Sequence, residues 1–150
     1  MNVKNNRRHQ ETIDNIENVF ISLLRDKELH KISVTELCES AKIDRSTFYA
    51  NYEDISDLAN EVSTKIEIEL EEQPHTDGEF AWIFEYIQAN KDVFDIYFKL
   101  GISKSKVDYK TLFFRNGAYS VAKMWFDGGC NESPEQMSEI LKREYNKLIK

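Results

Sequence analysis

Side chains of the kind that read DNA are concentrated in one short segment, RSTFYANY at residues 45–52. Polar residues occupy most of its positions, so the segment predicts a short helix that buries few of its residues. An arginine can donate two hydrogen bonds to a guanine, a threonine methyl can contact a thymine methyl, and an asparagine can pair with an adenine. The side chains expected to face outwards and to contact bases or phosphates are Arg45, Ser46, Thr47, Tyr49 and Asn51.

The residues before this segment predict a second helix that supports it. Ser33 and Glu36 have the S-x-x-E spacing of a capping box, in which the hydroxyl and the carboxylate satisfy free backbone amides at a helix start. One helical face then carries the apolar residues Val34, Leu37, Cys38 and Ala41. A turn follows at residues 42–44, and Asp44 is expected to cap the next helix. Two short helices joined in this way predict a helix-turn-helix, whose second helix enters the major groove.

The composition is that of a soluble helical protein. Hydrophobic residues make up 41% of the chain and charged residues 31%, which is ordinary for a globular domain. Only 5 glycines and 2 prolines interrupt the 150 residues, which favours long helices over many turns. Apolar residues recur at helical spacing and no convincing strand pattern is present. The expected fold class is therefore all-α.

Apolar spacing and one polar linker divide the chain into three expected parts. A three-helix DNA-binding head at residues 1–54 begins with an amphipathic helix from about Arg7 to Asp26 and ends with the helix-turn-helix. A coupling helix and a linker, QPHTDG at residues 73–78, occupy residues 55–78. A small helical body at residues 79–150 is expected to provide dimerisation and effector binding.

Other classes of function find little support in the sequence. The three histidines are dispersed, and the chain has neither a glycine-rich phosphate loop nor a nucleophile elbow, so we expect no catalysis, metal or cofactor. Cys38 and Cys130 are expected to remain reduced thiols. No apolar run approaches a membrane span and the polar start is not a signal peptide, so a cytoplasmic protein is expected. The acidic run at residues 67–72 is expected to be a solvated helix face.

The charge of the chain argues against strong non-specific binding to nucleic acid. The net charge is -7; residues 1–65 hold 9 Lys+Arg and 12 Asp+Glu, a difference of -3, and residues 66–150 hold 11 and 15, a difference of -4. Binding to DNA therefore depends on how the basic residues are distributed. Thr35, near the start of the supporting helix, and Lys42, just after its end, are expected to reach phosphates. We expect weak non-specific binding that falls off with salt.

Together these motifs make residues 8–62 resemble a TetR/AcrR-type transcriptional regulator. The resemblance rests on a Ser-capped second helix, an alanine before the turn, and a third helix with Phe-Tyr followed by an aromatic residue three positions later. The residues concerned are Ser33, Ala41, Phe48, Tyr49 and Tyr52, followed by Leu58. A looser resemblance to a small subgroup of the family extends over residues 125–135. The resemblance implies that Tyr49 contacts a phosphate, whereas Tyr52 is expected in the core.

The chain departs from this family's pattern at two positions. The family usually has glycine in the turn, where φ is often positive, and this chain has Lys42. A residue other than glycine in the left-handed conformation costs ~1 kcal/mol, which the lysine could partly offset at a phosphate. The family also favours a phosphate-binding lysine at the start of the fourth helix, where this chain has Ile55. Both departures predict modest affinity or a demanding operator.

The resemblance also implies a homodimer on a palindromic operator, most simply as a repressor released by an effector. Such an effector, a small molecule or a protein, would bind among aromatic residues that could equally be plain core: Trp82, Tyr86, Tyr97, Phe113 and Tyr119. The last two helices could pair with their copies as a four-helix bundle or only close the monomer's core. The expected interface residues are Phe114, Val121, Trp125, Met137, Ile140, Leu141 and Leu148. The alternative function is a dimeric interaction protein whose acidic head engages a protein partner instead of, or in addition to, DNA.

Overall fold

The described part of the chain is entirely helical, as predicted. A computed structural model describes the backbone of residues 3–74, 80–101 and 109–148, and the side chains of residues 7–74, 80–101 and 115–144. These residues contain no β-strand. They form the helices α1 (Val3–Asp26), α2 (Val34–Ala41), α3 (Arg45–Tyr49), α4 (Ile55–Glu71), α5 (Ala81–Ala89), α6 (Lys91–Leu100), α7 (Tyr109–Asp127) and α8 (Pro134–Leu148), with a 3₁₀ turn at Leu29–Lys31. None of these helices is long and apolar enough to cross a membrane.

The helix boundaries differ from the predicted ones mainly at two places. The first helix begins at Val3 instead of about Arg7. The third helix ends at Tyr49 instead of Tyr52. Its end tightens because the backbone N–H groups of Asn51 and Tyr52 both donate to the carbonyl of Phe48, at 2.9 and 3.0 Å. Residues 75–78 of the predicted linker lie outside the described residues.

The N-terminal helices share one apolar core, which we call the head core. Its centre is fully buried and consists of Ile16, Phe20 and Leu24 from α1 with Leu37, Phe48 and Leu58 from α2, α3 and α4. The α1 residues are spaced by four, so they form one stripe that faces the other three helices. Because α3 contributes Phe48 and little else, its remaining side chains are left at the surface.

The C-terminal helices enclose a second, more aromatic core, which we call the body core. Its buried members are Phe84, Ile87, Phe94, Tyr97, Phe98, Ala122, Trp125 and Met137. Phe84 meets Trp125 edge to face with a centroid separation of 5.1 Å. The Trp125 indole N–H donates to the carbonyl of Glu132 at 3.0 Å, so this large side chain is buried without losing its hydrogen bond.

The helix α6 joins the two cores. Its residue Ile96 is buried in the head core, whereas Phe94, Tyr97 and Phe98 belong to the body core. The Lys99 ammonium donates to the carbonyl of Leu24 at 3.1 Å, at the C-terminal end of α1, where a cation is favoured by the helix dipole. The half-buried Ile66 of α4 packs against both cores. The head and the body are therefore connected through α6 as well as through α4.

Candidate nucleic-acid interface

The starts of the two short helices are capped only partly as predicted. The Ser33 hydroxyl accepts a hydrogen bond from the Glu36 backbone N–H at 3.2 Å, as the capping box predicts. The Glu36 carboxylate binds the Lys27 ammonium of the preceding loop, so the second half of the predicted box is replaced by an ion pair. Asp44 lies at the N-cap position of α3, but its carboxylate makes no capping bond and remains exposed.

Lys42 adopts the left-handed conformation expected of the turn. Its φ is 55° and its ψ is 46°, which glycine adopts without the steric cost that other residues incur. The N–H of Ile43 donates to the carbonyl of Cys38, five residues earlier, at 3.0 Å. This is the 6→1 hydrogen bond of a Schellman motif. The chain thus reverses tightly between α2 and α3, and the Lys42 side chain projects into solvent beside the start of α3.

The predicted DNA-contacting side chains fall into an exposed set and a half-buried set. The exposed residues are Thr35, Lys42, Arg45, Ser46 and Tyr49. Thr47 and Asn51 are half-buried. The Asn51 amide donates to the Thr47 carbonyl at 2.8 Å, so one of its two donors is used at the end of α3. Arg45, Ser46 and Tyr49 are therefore the α3 side chains with the freest access to a groove.

Two of the predicted residues are bonded to each other across the two helices. The Arg45 guanidinium donates from Nη2 to Thr35 Oγ1 at 2.6 Å. Thr35 lies in the first turn of α2 and Arg45 begins α3, so the bond joins the two helix starts. Within the described residues Arg45 has no carboxylate partner. Its positive charge is therefore available to a ligand.

The tyrosines at positions 49 and 52 point in opposite directions, as predicted. Tyr49 is 57% exposed and its ring meets the buried ring of Phe48 edge to face. Tyr52 is buried, and its hydroxyl donates to Glu17 Oε1 at 3.1 Å. Burial raises the pKa of the Tyr52 hydroxyl, and the Glu17 carboxylate raises it further. Tyr52 therefore anchors the end of α3 to α1, while Tyr49 presents its hydroxyl to solvent.

Several acidic side chains of the head are already paired or used as caps. Glu17 accepts from Lys65 Nζ at 2.6 Å as well as from Tyr52. At the start of α4, Asp54 accepts from the Asp57 N–H at 2.8 Å, and Asp57 accepts from the Glu53 N–H at 3.0 Å. The first of these two bonds makes Asp54 the N-cap of α4. These bonds occupy several carboxylates of the head, although they leave its net charge unchanged.

The aromatic residues predicted to form an effector pocket are packed into the body. Tyr97 is buried and meets the half-buried Tyr119 edge to face at a centroid separation of 5.5 Å. The Tyr119 hydroxyl donates to the Phe98 carbonyl at 3.2 Å. Tyr86 and Trp82 are half-buried, and Tyr86 packs against Phe94. The side chain of Phe113 lies outside those that the structure describes.

A cavity of about 240 Å³ is present elsewhere, at the C-terminal end of α1. Charged side chains line it instead of aromatic ones, and Lys27 and Lys99 among them are already bonded within the chain. It lacks the mostly apolar walls of a typical small-molecule site. Its lining residues are Arg25, Asp26, Lys27, Glu28, Lys31 and Lys99.

The residues predicted at the dimer interface differ in their exposure. Trp125 and Met137 are each only 4% exposed, so they hold α7 and α8 together within one chain. Val121, Ile140 and Leu141 are half-buried and keep part of their surface for another contact. The side chains of Phe114 and Leu148 lie outside the described ones. Met124, which was not predicted, is the most exposed of the large apolar side chains in the described residues, at 72%.

A buried acidic group in α4 escaped the sequence prediction. Glu67 is only 8% exposed, although the run to which it belongs was expected to be a solvated face. It accepts from the Tyr97 hydroxyl and pairs with Arg115, both at 3.1 Å. Burial of the ring raises the pKa of Tyr97, and the neighbouring Glu67 carboxylate raises it further. The available signal was the spacing of Ala59, Ser63 and Glu67 by four, which places all three on one helical face.

No group of His, Cys, Asp and Glu side chains suited to a metal ion occurs among the described residues. Cys38 is buried and Cys130 half-buried, and both are free thiols. Neither a protein-family model nor a curated protein matches this chain. Its function is therefore inferred from its own residues and their geometry.

Proposed function

We propose that this protein is a sequence-specific DNA-binding regulator of the TetR/AcrR type, acting as a repressor. In this proposal α2 and α3 form a helix-turn-helix, and α3 enters the major groove. The observation that carries the proposal is the surface at the start of α3. There the exposed Arg45, Ser46 and Tyr49 are presented by a helix that buries Phe48 and is braced by α2. The left-handed Lys42 adds a cation at the edge of this surface.

Each exposed side chain has a distinct role in the proposed complex. Arg45 reads a guanine, and Tyr49 donates its hydroxyl to a phosphate. Thr35 and Lys42 contact the backbone, which positions the head without reading the sequence. In this complex Ser46 and Thr47 would face base edges, whereas Asn51 has one of its two amide donors bonded to the Thr47 carbonyl.

A homodimer is part of the proposal because a palindromic operator is read by two heads about 34–36 Å apart. Support comes from the face of α7 that carries Gly117, Val121 and Met124, which Gly128 continues just after the helix ends. These residues are spaced by four, three and four, which is the seam spacing of packed helices. A Cβ on Gly117 would meet nothing within 4 Å in the monomer, so a second helix can approach closely there.

An effector bound in the body would act by changing the relative position of the heads. Its effect would reach the head through α4 and α6, which both pack on the head core. A ligand can shift such an equilibrium only by its difference in affinity between the two states.

One observation favours a second candidate, the dimeric interaction protein. Residues 1–65 carry a net charge of -3, from 9 Lys+Arg and 12 Asp+Glu, and the exposed Asp44 carboxylate lies next to Arg45. A negative charge in that position repels phosphates and attracts a basic partner. The two candidates differ in whether the surface at α3 binds DNA at all.

The deciding experiment is a gel shift of the purified protein with the DNA upstream of its own gene, over a range of salt concentrations. Arg45→Ala is expected to cost about 1–3 kcal/mol of binding and to relax selectivity. Tyr49→Phe, which removes only the phenolic hydroxyl, is expected to weaken binding to all sequences alike. Arg25→Ala is the matched control, because it removes an exposed arginine in the last turn of α1, outside the two helices of the proposed helix-turn-helix. Absence of a complex even at low salt, or indifference to both α3 variants, would favour the interaction protein.

A further inference from the structure

The bond between Arg45 and Thr35 fixes an arginine that would otherwise be free to move. Arg45 Nη2 lies 2.6 Å from Thr35 Oγ1, and both residues are exposed. An arginine has many rotamers, and ordering it on binding costs entropy. A side chain that is already held by its own protein loses less entropy when the ligand binds. The bond therefore prepares Arg45 for one position on the DNA.

The bond leaves the recognition capacity of the guanidinium intact. Of its five N–H donors, Nη2 carries two, and these lie on different edges of the planar group. Thr35 takes one of them, so the other edge keeps both of its donors. Two parallel donors match the O6 and N7 acceptors that guanine presents in the major groove.

The threonine hydroxyl can serve Arg45 and the DNA backbone together. A hydroxyl accepts through its lone pairs and donates through its single hydrogen. In this structure Thr35 accepts from Arg45, and its hydrogen remains available to a phosphate oxygen. A phosphate contact by Thr35 is thus compatible with a second effect, which is to orient the neighbouring arginine.

We propose that Thr35 is a positioning residue for Arg45, and that each half of the operator carries a G·C pair opposite Arg45. This inference rests on the proposed function, because it assigns a base to the same surface. A positioning role for Thr35 and a phosphate contact alone predict different results. A phosphate contact affects all sequences alike, whereas a positioning residue affects discrimination at the one base pair that Arg45 reads.

The test begins with an operator selected from random DNA by the wild-type protein. Affinities are then measured for operators in which each base pair of the half-site is replaced in turn. A bidentate contact discriminates by roughly ten- to hundredfold, and Arg45→Ala is expected to lose this at a single G·C pair. Thr35→Val keeps the shape and removes the hydroxyl, so discrimination at that same pair is expected to fall by roughly three- to tenfold. Thr35→Ser keeps the hydroxyl and should retain the wild-type discrimination.

Each outcome decides the proposal. Wild-type discrimination by Thr35→Val, or an equal loss of affinity on every operator, would overturn the positioning role. A loss at an A·T pair on Arg45→Ala would overturn the assigned base. Thr35→Ala supplies a second variant without the hydroxyl, and thermal unfolding confirms that both are folded. If the wild-type protein selects no sequence at all, the proposed function itself fails, which is distinguishable from a specific complex that ignores Thr35.

Discussion

Lys42 lies at the point where the backbone reverses from α2 into α3, with φ 55°. The left-handed conformation brings the Cβ of any residue except glycine too close to its own backbone, at a cost of about 1 kcal/mol. At this exposed position the side chain gains no packing that would offset the cost. What it does supply is a positive charge beside α3, in a head with an excess of acidic residues. Stability and the proposed DNA binding therefore favour different residues at position 42.

Substitution of Lys42 separates these two effects. Lys42→Gly is expected to raise the free energy of unfolding by about 0.5 kcal/mol, because relief of strain exceeds the extra freedom of glycine in the unfolded chain. The same variant is expected to bind DNA more weakly, because a cation is lost. The measurement is urea denaturation together with the gel shift. Lys42→Ala is the control, since it lacks the charge but keeps the strain; if it were stabilised as much as Lys42→Gly, strain would not be the cause.

Among the helices, α4 illustrates what the sequence predicts and what it leaves open. Its apolar residues recur at helical spacing, which predicts one inward face: Leu58 and Val62 are buried, and Ile55 and Ile66 are half-buried against the cores. The neighbouring stripe contains Ser63 and Glu67, which are buried as well. Polar side chains are usually placed in solvent, so the face that they share with Ala59 is only a weak signal of their burial.

The burial of this polar stripe depends on partners that are distant in sequence. The Ser63 hydroxyl donates to the Gly101 carbonyl at 2.7 Å, and Glu67 binds Tyr97 and Arg115. These partners lie on α6, α7 and the residue that follows α6, which meet α4 only in the folded chain. Periodicity reports which face of a helix is apolar, but it does not report which polar groups find partners inside. For the same reason the bond between Thr35 and Arg45 could not be predicted from spacing.

Replacement of Glu67 tests this inward ion pair. Glu67→Gln is expected to destabilise the fold by about 3 kcal/mol, because it removes the negative charge that Glu67 places beside the largely buried Arg115. Glu69→Gln is the matched control, since Glu69 is exposed on the same helix, and it should change stability by only a few tenths of a kcal/mol. The measurement is chemical denaturation at constant pH. Equal midpoints for the two variants would show that Glu67 is not held inside.

At the scale of the whole molecule, the head and the body are one connected structure. Lys99 of α6 binds the last carbonyls of α1, Ile96 enters the head core, and Ser63 ties α4 to Gly101. A movement of α6 in the body would therefore be transmitted directly to α1. The sequence predicted aromatic residues in the body, but it did not predict the contact between the body and the head. Apolar spacing does not show which core each face of α6 joins.

The exposed seam of α7 predicts how two copies associate. Met124 is 72% exposed, and Gly117 and Val121 continue the same face towards the start of the helix. Trp125 and Met137 already fill the body core and Val121 packs partly against it, whereas the exposed Met124 lies outside this core. A helix face of this kind is covered when it packs against its own copy across a two-fold axis. The proposed four-helix bundle would therefore be centred on Met124 and flanked by Ile140 and Leu141.

Met124→Glu is expected to convert the proposed dimer to a monomer, because two carboxylates would face each other across the two-fold axis in a desolvated seam. The fold should persist, since Met124 contributes little buried surface to its own chain. Val93→Glu is the matched control: it places the same charge on an apolar side chain that is 40% exposed on a different helix, α6. Sedimentation over a range of concentrations measures the association, and circular dichroism measures the helical content.

Monomeric Met124→Glu should also lose operator binding steeply, because each head alone reads only half of a palindromic site. A dimer that survives in Met124→Glu, or one that dissociates equally in Val93→Glu, would place the interface elsewhere.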